Sequence, residues 1–261
     1  MLAICRYAST AAITFASIQS RAFFIFSLLS LPLVFSPYIN AHEETLSVGF
    51  IKTDRLPYFA NKSENHPVRG LYVDLLDKIS QHTGIKFNYQ FLPQARIRLY
   101  MRNGLLDVEP GIDSSWRPQP DEVESSVYSI AFMKSKEVIV YNKNKYPTLP
   151  LPKNNLLNCA VVGFANSGFS SESKLMAEVQ ILDMIQKNRC DTAIFPIDVL
   201  KYHLTEKYPD IRYTQPVFNY TLRLRLHKSK EHLLDKINNS IQALLDSGEF
   251  TQLYNKYTLT Q

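Results

Sequence analysis

The sequence lacks the short motifs that mark common catalytic and metal centres. It has no Gly-x-Ser-x-Gly, no His-Glu-x-x-His and no cysteine pair at the spacing of a metal site. Its 6 histidines are dispersed, and 261 residues contain only 3 cysteines and 1 tryptophan. The sequence therefore calls for no metal and no cofactor, and nothing in its motifs demands an enzyme.

Basic clusters, internal repeats and low-complexity tracts are also missing. The formal net charge is +5, but the lysines and arginines are scattered along the chain. A nucleic-acid-binding surface needs clustered positive charge, so nucleic acid is not expected as a partner. The apolar share of 45% allows one large domain or two small ones.

Acidic residues are absent from residues 1–41, whose only charged side chains are Arg6 and Arg21. The apolar run AFFIFSLLSLPLVF, at residues 22–35, has the length of a signal-peptide core and is too short to span a bilayer. We expect a signal peptide cleaved after Ala41 and a mature protein in the periplasm. An uncleaved membrane anchor is the alternative.

Two cysteines follow this leader, Cys159 and Cys190. An even number of cysteines in an exported chain favours a disulfide, because the compartment is oxidising. Two buried free thiols are the alternative interpretation.

Hydrophobic spacing predicts two alternating α/β units. The first has strands at 46–50, 85–92 and 105–112, with helices at 70–84 and 93–104. The second has strands at 158–164 and 190–195, with helices at 171–188 and 198–208. Extended segments are expected at 127–132, 137–141, 211–214 and 221–227, and the chain closes with helices at 231–248 and 249–258. Two such units predict two lobes with a cleft at the carboxyl ends of the strands.

Six short segments resemble one family in their order and spacing. They are LPYF (56–59), GLYVDLL (70–76), NGLLD (103–107), SSWR (114–117), VYSIAF (127–132) and LLDSGEFTQLYNKY (244–257). From residue 46 to 257 the chain resembles the extracellular solute-binding proteins of polar amino-acid ABC transporters.

The resemblance implies an α/β fold of the two-lobed periplasmic-binding-protein type (type II), with a ligand cleft between the lobes and two hinge crossings. The implied division is 1–41 as signal peptide, 42–134 as first lobe, 135–219 as second lobe and 220–261 as a return to the first lobe. The implied function is that of a monomer that binds a small polar solute, an amino acid or another carboxylate. Closure of the cleft would then deliver the solute to the membrane permease of an ABC transporter.

The segment SSWR carries the first candidate ligand residues. The resemblance assigns the ligand's carboxylate to Arg117, whose guanidinium fork matches a carboxylate with two parallel hydrogen bonds. Ser114 would add a hydroxyl group. Trp116 would stack on the ligand or shield the ion pair, or it packs inward while Arg117 is solvated.

Further candidates lie on the same lobe. The resemblance places an aromatic ring from Tyr58 or Phe59 against the ligand, and packing of both on the lobe surface is the alternative. Gln94 and Arg96 begin a helix whose positive N-terminus favours an anion, and a solvated helix start is the alternative there. Glu109 either meets a ligand ammonium or forms a salt bridge with a neighbouring arginine.

The second lobe offers Asn166, Ser167 and Gly168, a turn that in the family donates hydrogen bonds to the carboxylate. The family carries an aspartate after the following strand, where this chain has Pro196, and Asp198 lies two residues further on. The interval 107–117 and the second lobe between 165 and 189 are also short. These departures put a standard α-amino acid ligand in doubt.

Two other functions stay open. One is an enzyme on the same fold, dehydratase-like, with Glu109 and Asp113 as an acid–base pair. The other is a ligand-sensing module that acts on a membrane receptor.

Overall fold

The structure is a computed structural model that describes residues 44–64, 66–148, 156–162, 164, 172–175, 177–204 and 206–259. Of the predictions, the signal peptide (1–41) and the ligand turn at 166–168 lie outside these residues. Within the described ranges, no helix combines the length and apolarity needed to cross a membrane.

The first half of the chain follows the predicted order of strands and helices. The elements are β1 (Thr45–Ile51), α1 (Leu71–Thr83), β2 (Lys86–Leu92), α2 (Gln94–Arg102) and β3 (Val108–Ile112). The apolar stripe of α1, which includes Leu75 and Ile79, is fully buried. The helix ends at Gly84, whose φ of 72° is the left-handed conformation that glycine adopts without steric cost.

Hydrophobic spacing predicted most of the remaining elements, but neither the short helix at residues 120–124 nor the strand at residues 172–175. The remaining elements are α3 (Pro120–Glu124), β4 (Ser126–Tyr128), β5 (Met133–Asn142), β6 (Asn158–Val161), β7 (Glu172–Leu175), α4 (Glu178–Gln186), β8 (Thr192–Pro196), α5 (Ile197–His203), β9 (Ile211–Tyr213), β10 (Phe218–His227), α6 (Leu234–Asp246) and α7 (Glu249–Thr258). Short 3-10 turns occupy Ser114–Trp116 and Lys228–Leu233.

The prediction of one helix over 171–188 is wrong in its first part. Residues Glu172–Leu175 form β7, which pairs in parallel with β6, and the helix begins at Glu178. The spacing of Leu175, Val179 and Leu182 is also helical, so the sequence pattern extends the helix too far towards its N-terminus. The strand arises from its pairing with β6, which local spacing does not reveal.

The sheet order β2-β1-β3-β10-β5-β8-β6-β7 joins two halves. β1, β2 and β3 are parallel to one another, whereas the long strand β10 is antiparallel to β3 through residues 223–226 and to β5 through residues 218–222. We call the side with β1 to β4, α1 to α3, α6 and α7 the first lobe, and the side with β5 to β9, α4 and α5 the second lobe. The chain passes between them after β4 and again within β10.

The two cysteines of the second lobe are joined. Cys159 on β6 and Cys190, just before β8, form a disulfide with their Cα atoms 6.1 Å apart. Both residues are buried. The bond fixes β6 beside β8, and the carboxyl ends of these strands face the cleft.

Candidate functional site

A cavity of about 260 Å³ lies between the lobes; we call it the interlobe cavity. Its wall includes the carboxyl ends of β1 and β3 from the first lobe and of β6 and β8 from the second. Cleft ligands of open α/β sheets bind at this end of the strands. Aromatic rings from both lobes contribute to the wall: Phe50, Phe59, Tyr72, Trp116, Phe164 and Tyr220.

Arg117 lies on the cavity wall, and its main partner is an internal carboxylate. Its Nη2 donates to Glu109 Oε1 at 2.5 Å, and its Nε donates to Oε2 at 3.3 Å. Its Nη1 donates to the backbone oxygen of Trp116. The salt bridge that the sequence left as an alternative for Glu109 is therefore present, and the ligand role of Arg117 stays a prediction.

Glu109 is buried at the base of the cavity among donors. Gln94 donates to it at 2.9 Å, and so does Arg225 from β10. Burial raises the pKa of Glu109, but the charges of Arg117 and Arg225 and these hydrogen bonds outweigh it and lower the pKa to about 2. Glu109 is thus a fixed negative charge that holds two guanidinium groups.

Arg225 is fully buried, and sequence reasoning missed it. Its Nε donates to Ser126 and its Nη1 to Glu109, while Nη2 has no hydrogen-bond partner among the described residues. An arginine that alternates with leucines on a strand looks solvent-facing from the sequence alone. Here the side chain is buried and bonded to Glu109 of β3 and Ser126 of β4, on the strands that flank β10, so the charge is enclosed.

A second ion pair crosses from one lobe to the other. Arg55, in the loop after β1, donates from Nε and Nη2 to the two carboxylate oxygens of Glu178 on α4, each at 2.9 Å. The side chains are 15% and 8% exposed. The guanidinium carbon of Arg55 also lies 5.0 Å from the ring centre of Phe164 and 5.6 Å from that of Tyr58. No sequence signal paired these residues, which are 123 positions apart.

Asp198 takes part in a separate set of contacts between the lobes. It accepts hydrogen bonds from the hydroxyl groups of Tyr254 at 2.9 Å and Tyr58 at 3.4 Å. Burial raises the pKa of Asp198, and the two hydroxyl groups oppose that shift. Asp198 and Tyr58 both lie outside the cavity wall, with the Tyr58 ring stacked on Tyr72 at 4.9 Å.

The turn that carries Trp116 is fixed by Asp113. The Asp113 carboxylate accepts from the backbone and hydroxyl groups of Ser115 and from the backbone of Thr221 on β10. Trp116 faces the cavity and meets Tyr220 edge to face, with ring centres 4.8 Å apart. Ser115 lines the cavity, whereas the predicted Ser114 is exposed and outside the wall.

The acid–base pair that the sequence offered is poorly suited to proton transfer near neutral pH. Burial raises the pKa of Asp113, but the hydrogen bonds from Ser115 and Thr221 outweigh it and lower the pKa. Since the pKa of Glu109 is also lowered, both carboxyl groups are ionised and bonded to internal donors. Neither holds a proton to donate at neutral pH.

Glu137 on β5 is a cavity residue that sequence reasoning missed. It is partly buried, and within the described residues its side chain forms no hydrogen bond and no ion pair. Burial raises the pKa of Glu137 to about 7, with Arg55 lowering and Glu178 raising it. Its signal in the sequence is weak, a single glutamate at the start of the apolar run EVIVY.

The structure thus brings five of the predicted residues together on the cavity wall: Phe59, Gln94, Glu109, Trp116 and Arg117. Arg96 is exposed on α2 and outside the wall. Asn166, Ser167 and Gly168 lie outside the described residues. Across the described part of the chain, no group of three or more histidine, cysteine or acidic side chains is arranged to hold a metal ion.

Solved structures of several binding proteins share this fold. The substrate-binding protein of an amino acid ABC transporter superposes with a TM-score of 0.67 at 20% identity, covering 82% of this chain and 98% of that one. An ancestral arginine-binding protein bound to arginine gives 0.67 at 18% identity, covering 82% and 97%. A histidine kinase sensor domain with similarity to periplasmic binding proteins gives 0.68 at 14% identity, covering 82% and 96%.

Comparison at the level of sequence gives the family. A search of curated proteins finds no match to this chain. The family model for bacterial extracellular solute-binding proteins, family 3, matches residues 47–260. This range contains nearly all of both lobes and every residue of the interlobe cavity, and it confirms the resemblance seen in the sequence. The chain belongs to the bacterial extracellular solute-binding proteins, family 3.

Proposed function

We propose that the protein captures a small polar solute between its lobes in the periplasm and delivers it, as a monomer, to the permease of an ABC transporter. The observation that carries this proposal is the interlobe cavity, whose wall combines charged and aromatic side chains from both lobes. A cavity with such a mixed wall gives a ligand both contact area and orientation. The family membership and the signal peptide predicted at residues 1–41 support export.

Closure follows from differential binding. A solute that touches both lobes gains all its contacts only in the closed arrangement, so binding shifts the equilibrium towards closure. We place the lobe division at 42–134, 135–219 and 220–261, with the hinge in the two crossings, after β4 and within β10. The Arg55–Glu178 ion pair and the Asp198 hydrogen bonds span the lobes and would add to the stability of the closed form.

An amino acid fits the groups on the wall. The guanidinium of Arg117 has five N–H bonds, of which three are used by Glu109 and Trp116. The other two are available to a ligand carboxylate, and Trp116 and Tyr220 offer ring faces. Among the similar structures, an ancestral arginine-binding protein was solved with arginine bound, which favours an amino acid as the class of ligand.

A thermal-shift panel of amino acids, polyamines and small carboxylates tests the proposal. A ligand at 100 times its dissociation constant should stabilise the protein by about 2.7 kcal/mol. Ala160→Trp, on the cavity wall, should abolish this gain by filling the cavity. Ala243→Trp makes the same change at an exposed position of α6 and should keep the gain. No stabilisation by any compound, or an equal gain in Ala160→Trp, would contradict the proposal.

A catalytic role is the second candidate, and Glu137 is the observation that favours it. A carboxyl group with a pKa of about 7 in a cavity can both accept and donate a proton near neutral pH. Mass spectrometry of each stabilising compound after long incubation separates the two functions. A new product formed by the wild type and not by Glu137→Gln would favour catalysis, whereas an unchanged compound would favour binding alone.

A further inference from the structure

One charged side chain on the cavity wall has no partner of opposite charge among the described residues. Among the described residues five charged side chains line the cavity, and four of them form two pairs: Arg55 with Glu178 and Arg117 with Glu109. Glu137 is the fifth, and it has no hydrogen-bonded or ion-paired side chain in the described part of the chain. Glu137 is therefore the acidic group of the wall that no cation among the described residues pairs with.

The position of Glu137 exposes this charge to a bound solute. In the strand register it lies opposite Pro196 of β8 and Phe218 of β10. Tyr220, two residues further along β10, shares this face of the sheet, and its pKa is raised by burial and by the charge of Glu137. Trp116 and Tyr220 meet edge to face on the same wall, so the cavity also offers aromatic rings, whose faces attract cations.

We propose that Glu137 selects the solute by charge and binds a positively charged side-chain group, an ammonium or a guanidinium other than the α-ammonium. This inference rests on the proposed solute-binding function. Enclosing an unpaired carboxylate is costly, and a cationic solute removes that cost by pairing with it. A solute with a neutral side chain leaves the carboxylate unpaired, and one with an anionic side chain adds repulsion. The remaining N–H bonds of Arg117 serve the carboxylate of an amino acid in either case.

The charged and titratable groups that face Glu137 define how this selection varies with pH. Arg55 lies across the cavity in the loop after β1, Glu178 is on α4, and Tyr220 is on β10. Arg55 and Glu178 are paired with each other, so Glu137 is the group that changes charge near neutral pH. Below pH 7 a bound cation must displace a proton from Glu137. Affinity for a cation should therefore fall by up to about tenfold for each pH unit below 7, and level off above it.

Calorimetric titration of the wild type and of Glu137→Gln with L-lysine, L-arginine, L-glutamine and L-glutamate tests the inference. The wild type should bind L-lysine or L-arginine at least about 30-fold more tightly than it binds L-glutamine and L-glutamate. Glu137→Gln should lose that preference and its pH dependence between pH 6 and pH 8. Glu124→Gln makes the same chemical change at an exposed position outside the cavity and should behave as the wild type.

The outcomes separate the inference from the proposed function. Equal or tighter binding of L-glutamate or L-glutamine by the wild type would overturn the role of Glu137 and leave the solute-binding function standing. Unchanged selectivity in a folded Glu137→Gln protein would do the same. Absence of binding by all four amino acids, together with no stabilisation across the wider thermal-shift panel, would overturn both.

Discussion

Replacing Glu178 by glutamine should open the ligand-free protein. Glu178 and Arg55 meet through two hydrogen bonds of 2.9 Å, one group on each lobe. When the lobes separate, both groups regain water, so this contact contributes only to the closed form. The variant keeps the shape of the side chain but leaves the Arg55 guanidinium without its anion in the closed form.

The size of the effect follows from the burial of the pair. The side chains of Arg55 and Glu178 are 15% and 8% exposed, so both lose most of their hydration on closure. Removing one partner of a desolvated ion pair costs about 2 to 5 kcal/mol. Arg55 keeps its contacts with the rings of Tyr58 and Phe164, which favours the lower end of that range. A cost of about 2 kcal/mol shifts the open-to-closed ratio about 30-fold towards the open form.

Small-angle scattering and electron spin-label distances measure that ratio. Labels at Glu124→Cys and Lys201→Cys, which are exposed positions on the first and second lobes, report the separation of the lobes. Glu178→Gln and Arg55→Gln should each lengthen the distance, and the double variant should lengthen it less than the sum of the two, because the groups act as one pair.

Glu249→Gln supplies the control. It breaks an ion pair with Lys78 that is more than a third exposed and lies within the first lobe, so it should leave the distance unchanged. Unchanged distances in all of the Arg55 and Glu178 variants would refute the idea that this pair stabilises closure.

Three further predictions concern stability. Replacing both Cys159 and Cys190 by serine should cost about 3 to 4 kcal/mol in denaturant unfolding, because the bond closes a loop of 31 residues, and a reductant should lower the wild type to the same value. The pKa of Glu109 falls from 4.5 to about 2 on folding, so its stabilisation is complete above pH 4.5 and is lost as the pH falls through 2. The shift in this pKa corresponds to about 3 kcal/mol of folding free energy. Glu109→Gln should be less stable at neutral pH and should lack this part of the acid unfolding transition. An identical acid transition in the variant would contradict the lowered pKa of Glu109. Gly111→Ala should lower the midpoint of thermal unfolding, because φ is 73° there and a Cβ atom would overlap the ring of Tyr72; an unchanged midpoint would count against this close contact.

Much of the fold could be predicted because its helices and strands are locally consistent. The stripe of α1 and the glycine that ends it lie within one short segment, and the alternation of strands and helices then requires a parallel sheet. The strand β7 could not be predicted in this way. Its residues 172–175 carry no strong local preference, and their pairing with β6 depends on contacts with residues 158–161.

The site was harder to predict than the fold because charge pairing depends on three-dimensional proximity. The sequence indicated that Arg117 would lie at the cleft, and it does. The sequence left a salt bridge between Glu109 and a neighbouring arginine as an alternative to a ligand contact, and only the structure shows that Arg117 is one of the arginines bound to Glu109. Arg225 and Glu137 escaped notice because each sits on a strand, where periodicity gives the face but not the partner. Burial and the positions of neighbouring charges, rather than residue type, decide which of these groups is left for a solute.

A titration followed by the fluorescence of Trp116 tests the solute-binding claim most directly. The protein has 1 tryptophan, and that residue lies on the cavity wall against Tyr220, so the signal reports on this site alone. We predict a saturable change with L-lysine or L-arginine that has the same midpoint as in calorimetry. The change should be absent in Ala160→Phe, which fills the cavity without adding a second tryptophan, and in Trp116→Phe, which removes the signal. A calorimetric binding curve with no change in Trp116 fluorescence, or no binding by any solute, would contradict a solute site in the interlobe cavity.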